Sequence, residues 1–437
     1  MDGRAASQTI TDKLPYLLDA GIQLHVLSAI TGIKDTRFPH EQLIAWGPAA
    51  FRFDFRHWFA NRFGRGIAYK IFTLLISVIL SPFIAIEKIL AGYSSQWSWA
   101  FPAYFAGLRL IKQGRIDLIY STGGAWSAHL AALWLKKKTK LPWIVEIHDP
   151  LVIRSNEKDS GKEAPKKPDA RKRHSLEQEI CKYADIAWWF TDGALHFAKQ
   201  RNPTLDQPGH AKGLMIIPGA NPPDMEAVIQ DIAHHYGEYL NICHFGSLAS
   251  NRSMTQVLEC LPGFFSQYPD ARNKIRFHIY GAQLDTKSKE YVRIRSYQNN
   301  VIEHGRLEKD STSGLTGRQQ IAMKMQEADI LLLLHGNSEW CREYIPSKLY
   351  DYFWTNRPIW GLVYKNPQLE YLLQSRLSYM SKADHYESVL ETIKAIYTDW
   401  KERKLPQQSI KAISVESAVK EILNQVAYLK QPDQYEY

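Results

Sequence analysis

No Asp-x-Asp occurs in this sequence, and no group of His, Cys, Asp and Glu has the spacing of a metal site. Chemistry on a carboxylate-held divalent cation is therefore not expected, and neither is a resident cofactor. Cysteine is scarce. Cys181, Cys243, Cys260 and Cys341 stand alone with no CxxC pair, which argues against a zinc knuckle or a dithiol redox motif. Scattered thiols in a long chain fit a reduced, cytosolic compartment. GxGxxG is missing too, and no acid stands where a dinucleotide-binding fold reads the ribose. Internal repeats and low-complexity tracts are lacking. So is an apolar h-region in the opening "MDGRAASQTITDK", and no secretory signal is expected there.

What is present is ordinary globular material. The 437 residues are 45% hydrophobic and 23% charged, enough for two or three domains with sizeable cores. The formal charge of +9 suits an anionic partner such as nucleotides or an anionic membrane face. Nucleic acid is not expected, because the basic runs come without a recognition fold.

Along the chain, apolar strand-like runs alternate with helical patterns. Strands are expected at 22–29, 116–121, 142–148, 185–191 and 213–220. The alternation restarts after residue 238, with strands at 240–247, 274–281, 300–305, 329–336 and 358–364. This rhythm implies βαβ units and parallel sheets, in two doubly wound domains facing across a cleft. The very polar, Lys-rich segment 154–174 reads as a mobile surface loop, and "SVESAVKEILNQVAYLK" as a terminal helix. In open α/β sheets ligands sit beyond the carboxyl ends of the strands, so site residues are sought just after them.

The stretch "REYIPSKLYDYFWTNRPIWG" follows such a strand. Pro346 suits a first helical position, with "SKLYDYFW" expected as the helix. A helix N-terminus presents free N–H groups to an anion, Ser347 sits at that terminus, and Lys348 adds a full charge. Asp351, one turn past Ser347, can reach ribose hydroxyls, and Glu343 can accept hydrogen bonds from a second polyhydroxyl group. Together these describe a holder for a sugar–diphosphate–ribose. The alternative is a surface helix with a charged face.

The Glu343-x7-Asp351 spacing, with "PSKLYDY" and "RPIWG", resembles the E-x7-E region of retaining GT-B glycosyltransferases, family 4 in particular. That family's second acid is Glu where this sequence has the shorter Asp. "HFGSLASNRSMTQVLECL" resembles the family's Gly-Ser loop and Arg before a helix, which implies Gly246, Ser247 and Arg252 near the donor diphosphate, with Ser347 and Lys348. Many members carry a basic residue where Ser247 stands, so neutralisation falls to Arg252 and Lys348. "STGGAWSAHLAALWLKKKTKLPWIVEIHDP" resembles the N-terminal glycine turn, helix and strand ending in His. It aligns His148 with the acceptor-side histidine, and Gly123, Gly124 and Asp149 with the acceptor-side loop. The resemblance implies metal-independent, retaining transfer through front-side attack without a protein nucleophile, His148 and Glu343 being the catalytic pair. Such families open with an apolar strand and glycine loop, and "MDGRAASQ" resembles the stretch after it. His129, His244 and Glu303 read as packing or rim residues.

One long apolar run stands apart, "IFTLLISVILSPFIAI" from Ile71 to Ile86, between Arg62, Arg65 and Lys70 before and Lys88 after. It is shorter than the about 20 residues of a spanning helix and contains Pro82. The aromatic "YSSQWSWAFPAYF" follows, and "KKKTK" and the 154–174 loop add positive charge nearby. An interfacial insert is the first expectation, a buried core helix the second and a full span the third.

The sequence therefore leads to a GT-B protein with an N-terminal acceptor domain (1–225, with a membrane-associating insert at 66–110), a C-terminal nucleotide-sugar domain (226–412), and a helix and tail (413–437) packing back. The expected activity is sugar transfer from a nucleotide-diphosphate donor to a lipid-linked or polysaccharide acceptor. The expected place is the anionic inner face of the cytoplasmic membrane, with peripheral association. The rivals are a weakly catalytic membrane scaffold and a nucleotide-sugar epimerase of the same architecture.

Overall fold

The computed structural model describes residues 5–31, 34–64, 66–92, 96–124, 126–153, 167–223, 236–248, 252–281, 283–407 and 412–430. The chain divides into two compact units. The first runs to Pro218 and takes in the C-terminal stretch from Val415; the second is Gly219–Ser414.

The first unit opens with helices α1 (Ala5–Thr11) and α2 (Leu14–Asp19), followed by strands β1 (Val26–Ala29) and β2 (His40–Leu43). These strands pair only with each other among the described residues, in parallel. Helices α3 (Pro48–Phe63), α4 (Ile67–Ala91) and α5 (Ala100–Lys112) come next. Then β3 (Ile119–Gly123), α6 (Trp126–Thr139), β4 (Trp143–Ile147), α7 (Pro168–Tyr183), β5 (Ile186–Trp189), α8 (Asp192–Arg201) and β6 (Lys212–Met215) alternate. Strands β3 to β6 form a parallel sheet in chain order. Every residue of β4 and β5 is buried, as a sheet covered on both faces requires.

The second unit comprises β7 (Leu240–Gly246), α9 (Thr255–Gln267), α10 (Ala271–Lys274), β8 (Ile275–Gly281), α11 (Thr286–Ile294), β9 (Val301–Gly305), α12 (Gly317–Glu327), β10 (Ile330–Leu334), α13 (Lys348–Tyr352), β11 (Ile359–Val363), α14 (Pro367–Gln374), β12 (Tyr379–Lys382) and α15 (Tyr386–Lys401). Its six parallel strands lie in the order β12-β11-β10-β7-β8-β9, the doubly wound Rossmann order. The order in which successive strands are added reverses between β7 and β10, the switch point at whose carboxyl ends a crevice is expected in such sheets. The last helix, α16 (Val415–Lys430), packs on the first unit, with Ala418 and Ile422 against Trp188 and Ile216.

Every strand expected from the sequence forms, with ends shifted by a few residues; β2 and β12 were not anticipated. Three expectations are corrected. Residues 168–174, assigned to a mobile loop, begin α7, where Pro168 supplies a fixed φ at the first helical position; 154–166 lie outside the described residues. The "SKLYDYFW" helix is a five-residue turn, because Phe353 and Trp354 leave it, Trp354 to donate its Nε1–H to the Ala220 carbonyl. The apolar run is not a buried core helix. It belongs to the 25-residue α4, which continues through Pro82 and has none of its apolar window buried. The four cysteines are buried and unpaired.

Strands β7 and β8 end side by side on Gly246 and Gly281, with φ of 129° and 101°. A Cβ on Gly281 would stand 3.2 Å from the Gly246 carbonyl oxygen. Gly281→Ala therefore combines left-handed strain with a backbone clash. It is expected to lower stability by about 1–3 kcal/mol in urea unfolding, a loss that Gly209→Ala, at an open turn, will not match.

Candidate functional site

At the crevice of the second unit, the local chain is fixed by one buried hydroxyl. Tyr352 accepts from the Phe245 N–H (3.2 Å) and donates to the Leu332 carbonyl (3.2 Å), so α13 is stitched to β7 and β10 at once. This holds Lys348 over the end of β7, where a Cβ on Gly246 would lie 3.8 Å from Lys348 Cγ. The loop before α13 is tied down by His335, which donates from Nε2 to the Tyr344 carbonyl (2.8 Å) and accepts at Nδ1 from the Tyr364 N–H (3.2 Å). Asn366 reaches the Cys341 and Tyr344 carbonyls from the other side.

The positive charges converge on this frame. Arg252 donates from Nη1 to the Tyr344 hydroxyl (2.9 Å) and from Nη2 to Ser247 Oγ (2.8 Å). Lys348 Nζ donates to Asp351 Oδ2 at 3.0 Å, with both side chains partly exposed. His244 lies buried beneath the loop. Burial first, and then the Arg252 and Lys348 charges, push its pKa down to about 4, so it adds no charge of its own. The structure thus brings together Gly246, Ser247, Arg252, Lys348 and Asp351, with Ser347 next in chain. Glu343 is buried at 2% exposure in the 3-10 turn Glu339–Glu343, one residue before Tyr344. With α13 a single turn, a helix dipole contributes little, and the charge available to an anion is that of Arg252 and Lys348 with the loop amides.

A second cluster sits in the first unit, at the carboxyl ends of β3 and β4. Gly123 pairs with Ile147 in the sheet, and a Cβ on Gly124 would come within 3.0 Å of Asp149 Oδ2. His148, Asp149, Gly123 and Gly124 are therefore neighbours. His148 Nε2 meets Glu146 Oε1 at 2.7 Å and Thr122 Oγ1 at 3.1 Å, and its ring packs on Phe190. Among the described residues both hydrogen bonds run through Nε2, which leaves Nδ1 as the nitrogen to address a ligand.

Glu146 was not anticipated. It is fully buried near the carboxyl end of β4, where an unpaired carboxylate would be untenable. Lys13, the residue before α2, forms an ion pair with it, and the Tyr120 hydroxyl donates to its other oxygen. Burial opposes its ionisation, but the Lys13 charge and the His148 hydrogen bond prevail and hold the carboxyl well below the usual range. The signal in sequence was a lone acid within "WIVEIH". Its partners, more than a hundred residues away in the case of Lys13, were not legible. Tyr344 and Tyr352 were missed for the same reason. His129 proves to be packing: it is wholly buried, bonds Ser121 Oγ, and is pushed down to about 4 by burial. Among the described residues no group of three or more His, Cys, Asp or Glu is placed to hold a metal ion.

No protein-family profile matches this sequence, and no curated protein does. Solved structures do match its fold. An α,α-trehalose 6-phosphate synthase from Burkholderia multivorans aligns over 78% of this chain and 78% of its own, at 11% identity and a TM-score of 0.50. The N-terminal domain of Candida albicans trehalose-6-phosphate phosphatase aligns over 76% of this chain and 73% of its own, at 16% identity and a TM-score of 0.50. Anabaena HepE, solved with UDP, covers 75% of this chain and 80% of its own at 12% identity, with a TM-score of 0.48. The shared architecture is GT-B, two Rossmann-like units with parallel sheets.

Removing one member of a buried ion pair strands the other. Lys13→Met is expected to lower unfolding stability by about 3–5 kcal/mol in denaturant titrations. The depressed Glu146 carboxyl also sets an acid dependence. Its contribution is complete above the unfolded carboxyl value of about 4.3 and is lost as pH falls through the folded value; Glu146→Gln removes that component from the stability–pH curve.

Proposed function

We propose that this chain is a glycosyltransferase that takes its sugar from a nucleotide-diphosphate donor bound in the second unit. The observation that carries the reading is the paired presentation of Arg252 and Lys348 over the Gly246–Ser247 turn, at the reversal point of a GT-B sheet. A diphosphate there would meet the two cations Arg252 and Lys348. As the sugar–phosphate bond lengthens, negative charge grows on the leaving phosphate, and donors already aimed at it need no reorganisation. Charge neutralisation by these groups is the basis for proposing a metal-independent reaction.

The likeness to the E-x7-E pattern gives the remaining donor roles. Asp351 takes ribose hydroxyls with the oxygen that Lys348 leaves free, and Glu343 takes hydroxyls of the transferred sugar. In the first unit His148, with its Nε2 held by Glu146, acts on the acceptor side, beside the Gly123–Gly124 turn and Asp149. We assign retention of configuration by front-side attack, without a covalent enzyme intermediate. The acceptor class proposed is a lipid-linked or polysaccharide glycan at the inner face of the cytoplasmic membrane. The exposed apolar helix α4 in the acceptor-type unit supports this.

Thermal unfolding of the full chain in mild detergent, with a panel of nucleoside diphosphates and nucleotide sugars, tests the donor site. One nucleotide is expected to raise the midpoint. Lys348→Ala and Arg252→Ala should each weaken that nucleotide by about tenfold or more, the range of a hydrogen bond to a charged group, and lower turnover by about 100-fold or more. Lys401→Ala, at an exposed ion pair, serves as control. A folded protein that responds to no nucleotide sinks the transferase reading and favours a membrane scaffold.

A further inference from the structure

The apolar helix α4 is not an isolated rod. It forms a hairpin with α3, and the contacts between them are specific. Phe59 packs on Tyr69 and Phe72, and Arg56 donates to Ser77 Oγ at 3.2 Å. The hydroxyls inside α4 are turned back on its own backbone, Thr73 to the Tyr69 carbonyl (2.7 Å) and Ser77 to the Thr73 carbonyl (2.6 Å). Apart from that seam the helix is uncovered. Ile67, Leu74, Val78, Phe83, Ile89 and Leu90 are each more than half exposed, and the mean hydropathy of the apolar window is 2.1. An apolar surface of this size left in water is a liability unless something covers it.

Charge tells what covers it. Residues 48–91 carry Arg52, Arg56, Arg62, Arg65, Lys70 and Lys88 against only Asp54 and Glu87. Both acids are turned inward. Asp54 accepts from the Ala45 N–H at 2.9 Å, and Glu87 accepts from the Ala49 N–H and Trp97 Nε1 at 2.8 Å each. The outward face is therefore apolar on α4 and mixed on α3, where Arg56 and Arg62 stand beside exposed Phe51, Trp58 and Phe63, a match for acyl chains beside anionic headgroups. Trp46, stacked on Phe101 and Phe105 near the base of the hairpin, supplies the amphipathic rings that favour that boundary.

The same residues decide the depth. Alone, α4 is about 37 Å long and apolar enough to cross a bilayer. Its partner α3 carries Arg52, Arg56 and Arg62 along its length, and hydrocarbon rejects each charge by roughly a hundredfold. We infer that the α3–α4 hairpin lies in the plane of an anionic bilayer surface, α4 sunk among the acyl chains and the α3 cations at the headgroups. This deepens the membrane part of the proposed function and rests on it, while nucleotide binding is measured separately.

The test is flotation of the full chain with phosphatidylcholine vesicles and with vesicles containing about one quarter phosphatidylglycerol. The protein is expected to float with the anionic vesicles, and Leu74→Asp/Val78→Asp to abolish this. Each Lys or Arg at an anionic surface is worth about fivefold, so Arg62→Glu/Lys70→Glu should weaken partitioning at least twentyfold. A thiol at Phe63→Cys, near the hairpin tip, should react with an impermeant maleimide added outside the vesicles, since the native thiols are buried. Protection of that thiol shows a spanning hairpin and overturns the in-plane geometry. Equal binding to both vesicle types overturns the anionic surface. Failure to float, with a detergent-free dimer that Leu74→Asp/Val78→Asp dissolves, makes a second copy the occupant. In every arm the nucleotide-induced thermal shift is read in parallel, so a loss of membrane binding is distinguished from a failed donor site.

Discussion

Parallel strands buried on both faces govern this protein. A strand such as Ile330–Leu334, apolar at every position, has no room for chemistry along its length. Polar groups, glycines and charges are displaced to the carboxyl ends, where the chain leaves the sheet. Gly246 with Ser247, His335 with the loop to Lys348, and Gly123 with His148 all stand at such ends. The six-strand order adds a reversal between β7 and β10, and that one topological fact sets the Gly-Ser turn beside the Lys348 turn. Tyr352 then makes the juxtaposition rigid, with one hydroxyl bonded to both strands.

Where a charge is buried, in a sheet or beneath a helix, it comes with partners. Glu146 is enclosed by Lys13, Tyr120 and His148, and Glu177 on α7 receives Arg201 of α8 in a bidentate pair, with Asn202 alongside. Both arrangements are expensive to assemble and more expensive to break, because a buried charge that loses its partner keeps its desolvation penalty. The first also connects structure to chemistry. The carboxylate that anchors Lys13, and with it the start of α2, is also the one bonded to the His148 imidazole, so integrity of that corner and the posture of His148 depend on one side chain.

The hairpin of α3 and α4 obeys the opposite rule. Its apolar surface is turned outward, and its acids are turned in to cap backbone amides. In water that distribution is unfavourable; at a lipid boundary it is the stable one. In the in-plane geometry proposed above, the same physical preference that buries Leu332 inside the sheet would account for the exposure of Leu74, with lipid in place of protein as the covering phase.

By itself the sequence determined the local and periodic features: the alternating strands and helices, parallel sheets, the strand ends where glycines and charges gather, and the apolar run with its basic flanks. These follow from side-chain periodicity and backbone preference, which act over a few residues. It also supplied Gly246, Ser247, Arg252, Lys348 and Asp351 of one cluster and Gly123, Gly124, His148 and Asp149 of the other, because each lies within a short motif after a strand. The tertiary structure alone decided which distant groups met: Lys13 with Glu146, Arg252 with Tyr344, Tyr352 with Phe245 and Leu332. It likewise decided that "SKLYDYFW" is a single turn and that the apolar run belongs to an uncovered helix, not a core. Burial is a property of neighbours, and a residue's neighbours across a sheet are set by strand order, which no window of local sequence encodes.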